Sequence, residues 1–192
     1  MSFLPEEYTK PATGSGFYLR LKVGNTKIRI LSDAITGWVD WDKSGAQNKP
    51  IRTKEKPERG LNIQESPKHF WSFVVWDYTD KAVKILEITQ ATIQNAIFEL
   101  SKSDDWGDPK GYDITISRVG EQKEDVKYSV IPTPPKPLSE EIKKEYESKT
   151  IDLNELFYNG DPFNPIPGGR TTVEDFERTV EKKEPLPEEP PF

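Results

Sequence analysis

Residues 69–76 and 82–89 are two runs dense in aromatic and β-branched side chains, and they flank the polar segment Asp77-Tyr78-Thr79-Asp80-Lys81. That pattern predicts two strands joined by a tight turn. In the first strand Phe70, Ser72, Val74, Trp76 and Tyr78 point one way, and Trp71, Phe73, Val75 and Asp77 the other. Both faces therefore carry rings. One face must be core; the other is either covered by another element or left as a stacking platform, with Trp76 expected inside.

The chain before this hairpin starts with an irregular arm over residues 1–16, rich in turn formers and without a sustained period. In it Phe3, Leu4 and Tyr8 offer apolar groups for docking on a second copy or on the chain's own domain. From residue 17 the period becomes two: Phe17, Leu19, Leu21 and Val23 alternate with Tyr18, Arg20 and Lys22, Gly24-Asn25 turns the chain, and Ile28 and Ile30 alternate with Lys27 and Arg29. One face of this pair is apolar and the other basic. Trp38 and Trp41, with two residues between them, are expected on one side of an extended segment, and residues 42–68 after them read as a long mobile loop.

Beyond the hairpin, Ile93, Ala96, Ile97 and Leu100 recur at helical spacing, with Thr89 or Thr92 to cap the start. Strands follow around Tyr112, Ile114 and Ile116 and over residues 126–131, closed by the run Pro132-Thr133-Pro134-Pro135-Lys136-Pro137, which a sheet does not continue through. Ser139 caps a short helix, and residues 151–157 suggest another turn of one. The order strand, strand, strand, helix, strand, strand predicts a mainly β, α+β chain of the OB-fold type, a five-stranded Greek-key barrel with one helix between strands 3 and 4. The expected organisation is an arm (1–16), the barrel (17–138), a helical extension (139–158), and a linker with a disordered acidic tail (159–192).

Composition adds an asymmetry. The 192 residues carry a net charge of −6 and no cysteine, which rules out disulfides and thiolate metal sites. No apolar run approaches the ~18 residues of a membrane span, and the N-terminus lacks a signal-peptide pattern, so a soluble intracellular protein without a membrane partner is expected. Within the acidic average, Lys43, Lys49, Arg52, Lys54, Lys56, Arg59 and Lys68 crowd one stretch, while Glu174, Asp175, Glu177, Glu181, Glu184, Glu188 and Glu189 crowd the end.

Catalytic patterns are missing. The single histidine, His69, sits beside Phe70 and Trp71, where stacking or structure suits it better than general-base work. No phosphate loop occurs, and Asp104-Asp105-Trp106-Gly107-Asp108 does not match a calcium loop. Neither enzyme activity nor any metal or cofactor is expected. What remains is a binding pattern, because aromatic rings interleaved with Lys and Arg hold single-stranded nucleic acid by stacking and charge without reading sequence. The candidates are Arg20, Lys22, Lys27, Arg29, Lys43, Lys49, Arg52, Lys54, Lys56 and Arg59 for phosphates, and Trp38, Trp41, Trp71, Phe73 and Tyr112 for bases. A protein-interaction adaptor that uses the same aromatic face is the alternative.

The runs Phe73-Val74-Val75-Trp76-Asp77-Tyr78, Val83-Lys84-Ile85-Leu86-Glu87-Ile88-Thr89-Gln90 and Trp106-Gly107-Asp108-Pro109-Lys110-Gly111-Tyr112-Asp113-Ile114 resemble single-stranded DNA-binding proteins of tailed bacteriophages over residues 16–138. The resemblance implies an OB-fold and a protein that coats single-stranded DNA in phage replication or recombination, in the cytoplasm of the infected bacterium. Trp71 and Phe73 are then the rings expected to meet DNA. The ending Glu188-Glu189-Pro190-Pro191-Phe192 is similar to the tail with which bacterial single-stranded DNA-binding proteins recruit replication and repair enzymes. A terminal ring with a carboxylate beside it is a compact anchor for such a partner. The tail's acids are also expected to compete with DNA for basic groups. Truncation after Val173 is therefore expected to tighten binding of single strands, measured by titrating labelled oligonucleotides against both forms.

Overall fold

The computed structural model describes residues 16–62, 65–122 and 124–167. Five strands, β1 (Gly24–Ile30), β2 (Ile35–Asp42), β3 (Lys49–Thr53), β4 (Lys68–Asp77) and β5 (Ala82–Ile88), precede helix α1 (Ala91–Lys102). Strands β6 (Asp113–Val119) and β7 (Lys127–Pro132), helix α2 (Glu140–Glu147) and a 3₁₀ helix, Leu153–Tyr158, follow. The strands form one antiparallel sheet in the order β3-β2-β4-β1-β6-β7, with β5 on the other edge of β4.

Strand β4 is the axis of this arrangement. Its first half pairs with β2 (Trp71 opposite Thr36, His69 opposite Trp38) and its last residues pair with β1 (Val75 opposite Ile30). Its other edge carries β5 from Trp71 to Asp77. The predicted hairpin is thus present, turned by Thr79, whose N–H donates to Asp77 Oδ1 at 2.9 Å, and by Lys81 at φ 49°.

Both faces of β4 are buried. Phe73 and Val75 join Ile28, Ile30, Leu86, Ile88, Ile114 and Ile116 in a core closed by Ile93 and Ile97 of α1. On the opposite face Val74, Trp76, Val83 and Ile85 pack under Ile142, Leu153 and Leu156. The expected helical extension therefore covers the sheet, because a face holding Trp76 and Ile85 would otherwise leave several large apolar side chains in water at roughly 1.5–3 kcal/mol each. Trp76 lies inside, as predicted. Ser139 caps α2, accepting from the Ile142 N–H at 3.4 Å. Helix α1 uses neither threonine as a cap: Gln90 holds that position without a side-chain bond, and buried Gln94 donates to the Ile88 and His69 carbonyls.

Several expectations need correction. The sheet has seven strands and stays open among the described residues, since β7 pairs only with β6. Residues 17–23 are not a strand of the sheet. Residues 17–19 line the outer edge of β5 through a parallel bridge, with Leu19 N–H donating to the Ile85 carbonyl at 2.8 Å, while Leu19 and Leu21 turn into the core. Gly24-Asn25 opens β1 and does not turn the chain. The segment expected as a mobile loop contains β3, and Asp40 explains why it is held. Buried Asp40 accepts from the Leu61 N–H at 2.6 Å, and Asn62 donates to the Trp41 carbonyl at 2.8 Å. The N-terminal arm and the acidic tail fall outside the described residues. Among the described residues no helix is long and apolar enough to cross a membrane.

Gly37 on β2 is crowded by the neighbouring strand and by the second layer. A Cβ there would stand 2.5 Å from the Thr53 carbonyl and 3.0 Å from both the Phe157 and Phe70 rings. Gly37→Ala should therefore cost about 1–3 kcal/mol as overpacking. Gly45→Ala, with a single neighbour at 3.8 Å, should stay within about 0.5 kcal/mol; urea unfolding of both variants reads the contrast.

Candidate nucleic-acid interface

At the β2–β3 end one face of the sheet stays half-open, while the 3₁₀ helix backs the other face through Phe157. Trp71 pairs with Thr36, and His69 pairs with Trp38, which in turn faces Thr53 on β3. Cross-strand partners share a face, so these side chains form two adjacent rows about 7 Å apart along β4. The His69 ring meets Trp38 edge-on at 5.3 Å, and Lys56 Nζ lies 5.0 Å from the Trp38 ring centre. Both tryptophans are half-buried, seated but with surface to offer. Trp71 also lines a cavity of about 170 Å³ with Phe73, Phe98 and Lys110. A half-exposed strip of two indoles, an imidazole and an ammonium is thus continuous with an aromatic pocket.

Trp41 does not belong to it. It lies three positions from Trp38, an odd number, so the two-residue period of a strand sends it to the opposite face, where it is 40% exposed. On that face Phe70 meets Phe157 at 6.0 Å and Lys54 Nζ sits 5.8 Å from the Phe157 ring. Phe73 and Tyr112 are core residues, at 2% and 0% exposure, and neither ring is open on this strip. Arg52 is held by Glu87 at 2.7 Å, with both side chains largely buried, and Lys43 by Glu65 at 2.7 Å. Lys49 and Arg59 are exposed on the same arm.

The basic face expected from residues 20–29 divides into two. Arg20 and Lys22 line a cavity of about 410 Å³ at the far end of β4, beside Asp77, Asp80 and Lys84. Lys84 is buried and paired with Asp77 at 2.8 Å and with Asp80. Lys27 and Arg29 instead converge on Asp113, which is fully buried: Arg29 Nη1 and Lys27 Nζ lie at 3.2 Å, Lys136 Nζ at 2.7 Å, and the Tyr78 hydroxyl donates at 2.9 Å. Arg29 also donates to the Lys110 and Lys136 carbonyls, at 2.9 and 2.7 Å. This guanidinium locks β1 to the segments before β6 and after β7 and is not available to a phosphate.

Burial alone would raise the Asp113 carboxyl, but bonds from Lys136, Tyr78, Lys27 and Arg29 outweigh it and hold the group below its ordinary value. Burial and the Asp113 hydrogen bond push the Tyr78 phenol up to about 12.

The residues that sequence reasoning passed over are Phe98, Lys110 and Lys136. Phe98 stands off the apolar stripe of α1 and is 47% exposed, and an aromatic ring off the stripe was the signal available. Lys110 and Lys136 lay in segments legible only as turns. The residues Glu188, Glu189, Pro190, Pro191 and Phe192 fall outside the described residues. Comparison with known proteins adds no neighbour: no family model matches the chain, and no curated protein or solved structure matches it.

Asp113→Asn should destabilise the fold by about 3–5 kcal/mol, because it strands the buried Arg29 charge. Asp113 is lowered in the folded state, so its contribution is present above the unfolded carboxylate value of 3.8 and is lost as pH falls through the folded one. Urea unfolding across the acid range should show that loss in the parent and not in the variant. Tyr78 is raised, so its contribution is full below 10.0 and vanishes as pH climbs through about 12. Burial also raises the Tyr18 and Tyr112 phenols, so ultraviolet titration should show a late-titrating group of phenols, from which Tyr78→Phe removes the one at about 12.

Proposed function

We propose that this protein binds single-stranded DNA without sequence readout, as a coating protein in phage replication or recombination, through the strip formed by Trp38, Lys56, His69 and Trp71. The observation that carries the reading is the shared face: two indoles and an imidazole in adjacent rows, with an ammonium at the outer ring and exposed Lys49 and Arg59 on the same arm. Stacking a base on an aromatic ring contributes roughly 1–3 kcal/mol, and any base has a face to stack. On binding, Lys56 would swing from the Trp38 ring to a phosphate and leave the indole for a base.

The organisation of the sheet supports the OB-type expectation in part. A long strand shared by two partners, a hairpin, a helix and two further strands follow the order of that barrel, with residues 17–19 along the edge of β5. In this reading the acidic tail recruits replication or recombination proteins through Phe192 and competes with DNA for the basic arm. The net negative charge of the whole chain is compatible with it, since phosphate binding depends on the local cluster.

Oligo-dT should quench the tryptophan fluorescence, and the affinity should fall as salt rises. Trp38→Ala and Trp71→Ala should each weaken binding about tenfold or more. Lys56→Gln should lower the slope of log affinity against log salt by about 0.7. Unchanged fluorescence together with no gel shift at low salt would reject the proposal.

A further inference from the structure

The cavity beside Trp71 has a chemistry of its own. It lies between the β1–β2 turn, α1 and the 3₁₀ turn Pro109–Gly111, is half open to solvent, and offers about 170 Å³. Its floor is Ile30, Phe73 and Ile97, and its walls are the half-buried Trp71 and the 47%-exposed Phe98. An apolar cavity of about 150 Å³ accepts benzene, so this one suits a single six-membered ring better than the fused rings of a purine.

The polar rim narrows the choice. Asp33, Asp108 and Lys110 line it, with Lys110 Nζ bonded to Asp33 and 3.5 Å from Asp108 Oδ2. Two carboxylates share one ammonium, so the rim keeps a surplus of acceptors and a negative balance. A phosphate is repelled there. A planar ring that offers an amino group is drawn in, above all one whose next atom accepts from Lys110. The two serines of the rim are already occupied: Ser32 Oγ donates to the Asp33 carbonyl and accepts from the Val74 N–H, and Ser101 Oγ donates to the Phe98 carbonyl.

We infer that this cavity is a pocket for one unstacked cytosine, with its ring on Trp71 and Phe98, its N4 amino group donating to Asp33 and its N3 accepting from Lys110. Thymine presents O4 to the carboxylate where cytosine presents N4–H₂, and adds a methyl group, so it is disfavoured; a carboxylate paired with cytosine N4 is a known mode of base discrimination. The inference rests on the single-strand reading above, since the pocket shares Trp71 with that strip. It adds a base preference to a face that otherwise ignores sequence.

The test is fluorescence anisotropy of the full chain with labelled oligo-dC, oligo-dT and oligo-dA of equal length, at one salt concentration and slightly alkaline pH. Oligo-dC should bind about tenfold tighter than oligo-dT or oligo-dA. Asp33→Asn should bring that ratio below about twofold, and Phe98→Ala should weaken oligo-dC more than oligo-dT. Both side chains are exposed, and matching thermal unfolding of each variant with the parent checks that the fold is kept. Equal affinity for the three polymers, or a preference for oligo-dA, with tight binding retained, overturns the pocket and leaves the strip standing. Absence of binding to all three overturns the single-strand reading as well.

Discussion

The burial of β4 on both faces is the constraint from which the rest of the structure follows. A ten-residue strand that carries Phe70, Val74 and Trp76 on one side and Phe73 and Val75 on the other cannot leave either side in water. One layer comes from the sheet curling over α1, the other from the C-terminal α2 and 3₁₀ segments. Because β5 occupies one edge, β1 and β2 must share the other, each pairing with half of it. The chain between residues 24 and 42 therefore bends from one strand into the next, and the β2–β3 arm is backed by Phe157 on one face and half-open on the other.

That half-open face makes a surface available. Where α1 and α2 cover the sheet, its rings are core; on the open face of the arm, Trp38, His69 and Trp71 stay half-open. The two populations of aromatic residue in this chain are separated by the reach of two short helices. Gly37 shows how tightly the arm is held from behind, since the Phe70 and Phe157 rings fill the space a side chain would take.

Charge is handled the same way. Three cations surround the buried Asp113 because the carboxylate needs their bonds to stay ionised out of water, and that network ties β1, β6 and the segment after β7 together. Arg52 and Lys84 are likewise consumed by Glu87 and by Asp77 with Asp80. The cations left for a polyanion are exposed ones such as Lys49, Lys56 and Arg59, with Asp42 opposite Lys49 across β2 and β3. A tally of Lys and Arg along the chain therefore overstates the basic surface.

The hairpin, the α1 stripe, the Ser139 cap and the proline stop after β7 were legible from residues alone, because each depends on local periodicity or on a side chain bonding to its own backbone. The same alternation put Trp76 on one face with Phe70 and Val74, and the helical layer over that face made it interior. The strand β3 was hidden among lysines and prolines: only its pairing with β2 and the reach of Asp40 to Leu61 N–H make it extended. Phe73 and Trp71 share one face of one strand, and no local rule tells the core ring from the half-open one. The difference is set by how closely α1 packs over each ring, a fact of contacts between segments about twenty residues apart. Local sequence determined which residues alternate; tertiary structure decided which side of the alternation met water, because burial depends on neighbours brought from elsewhere in the chain.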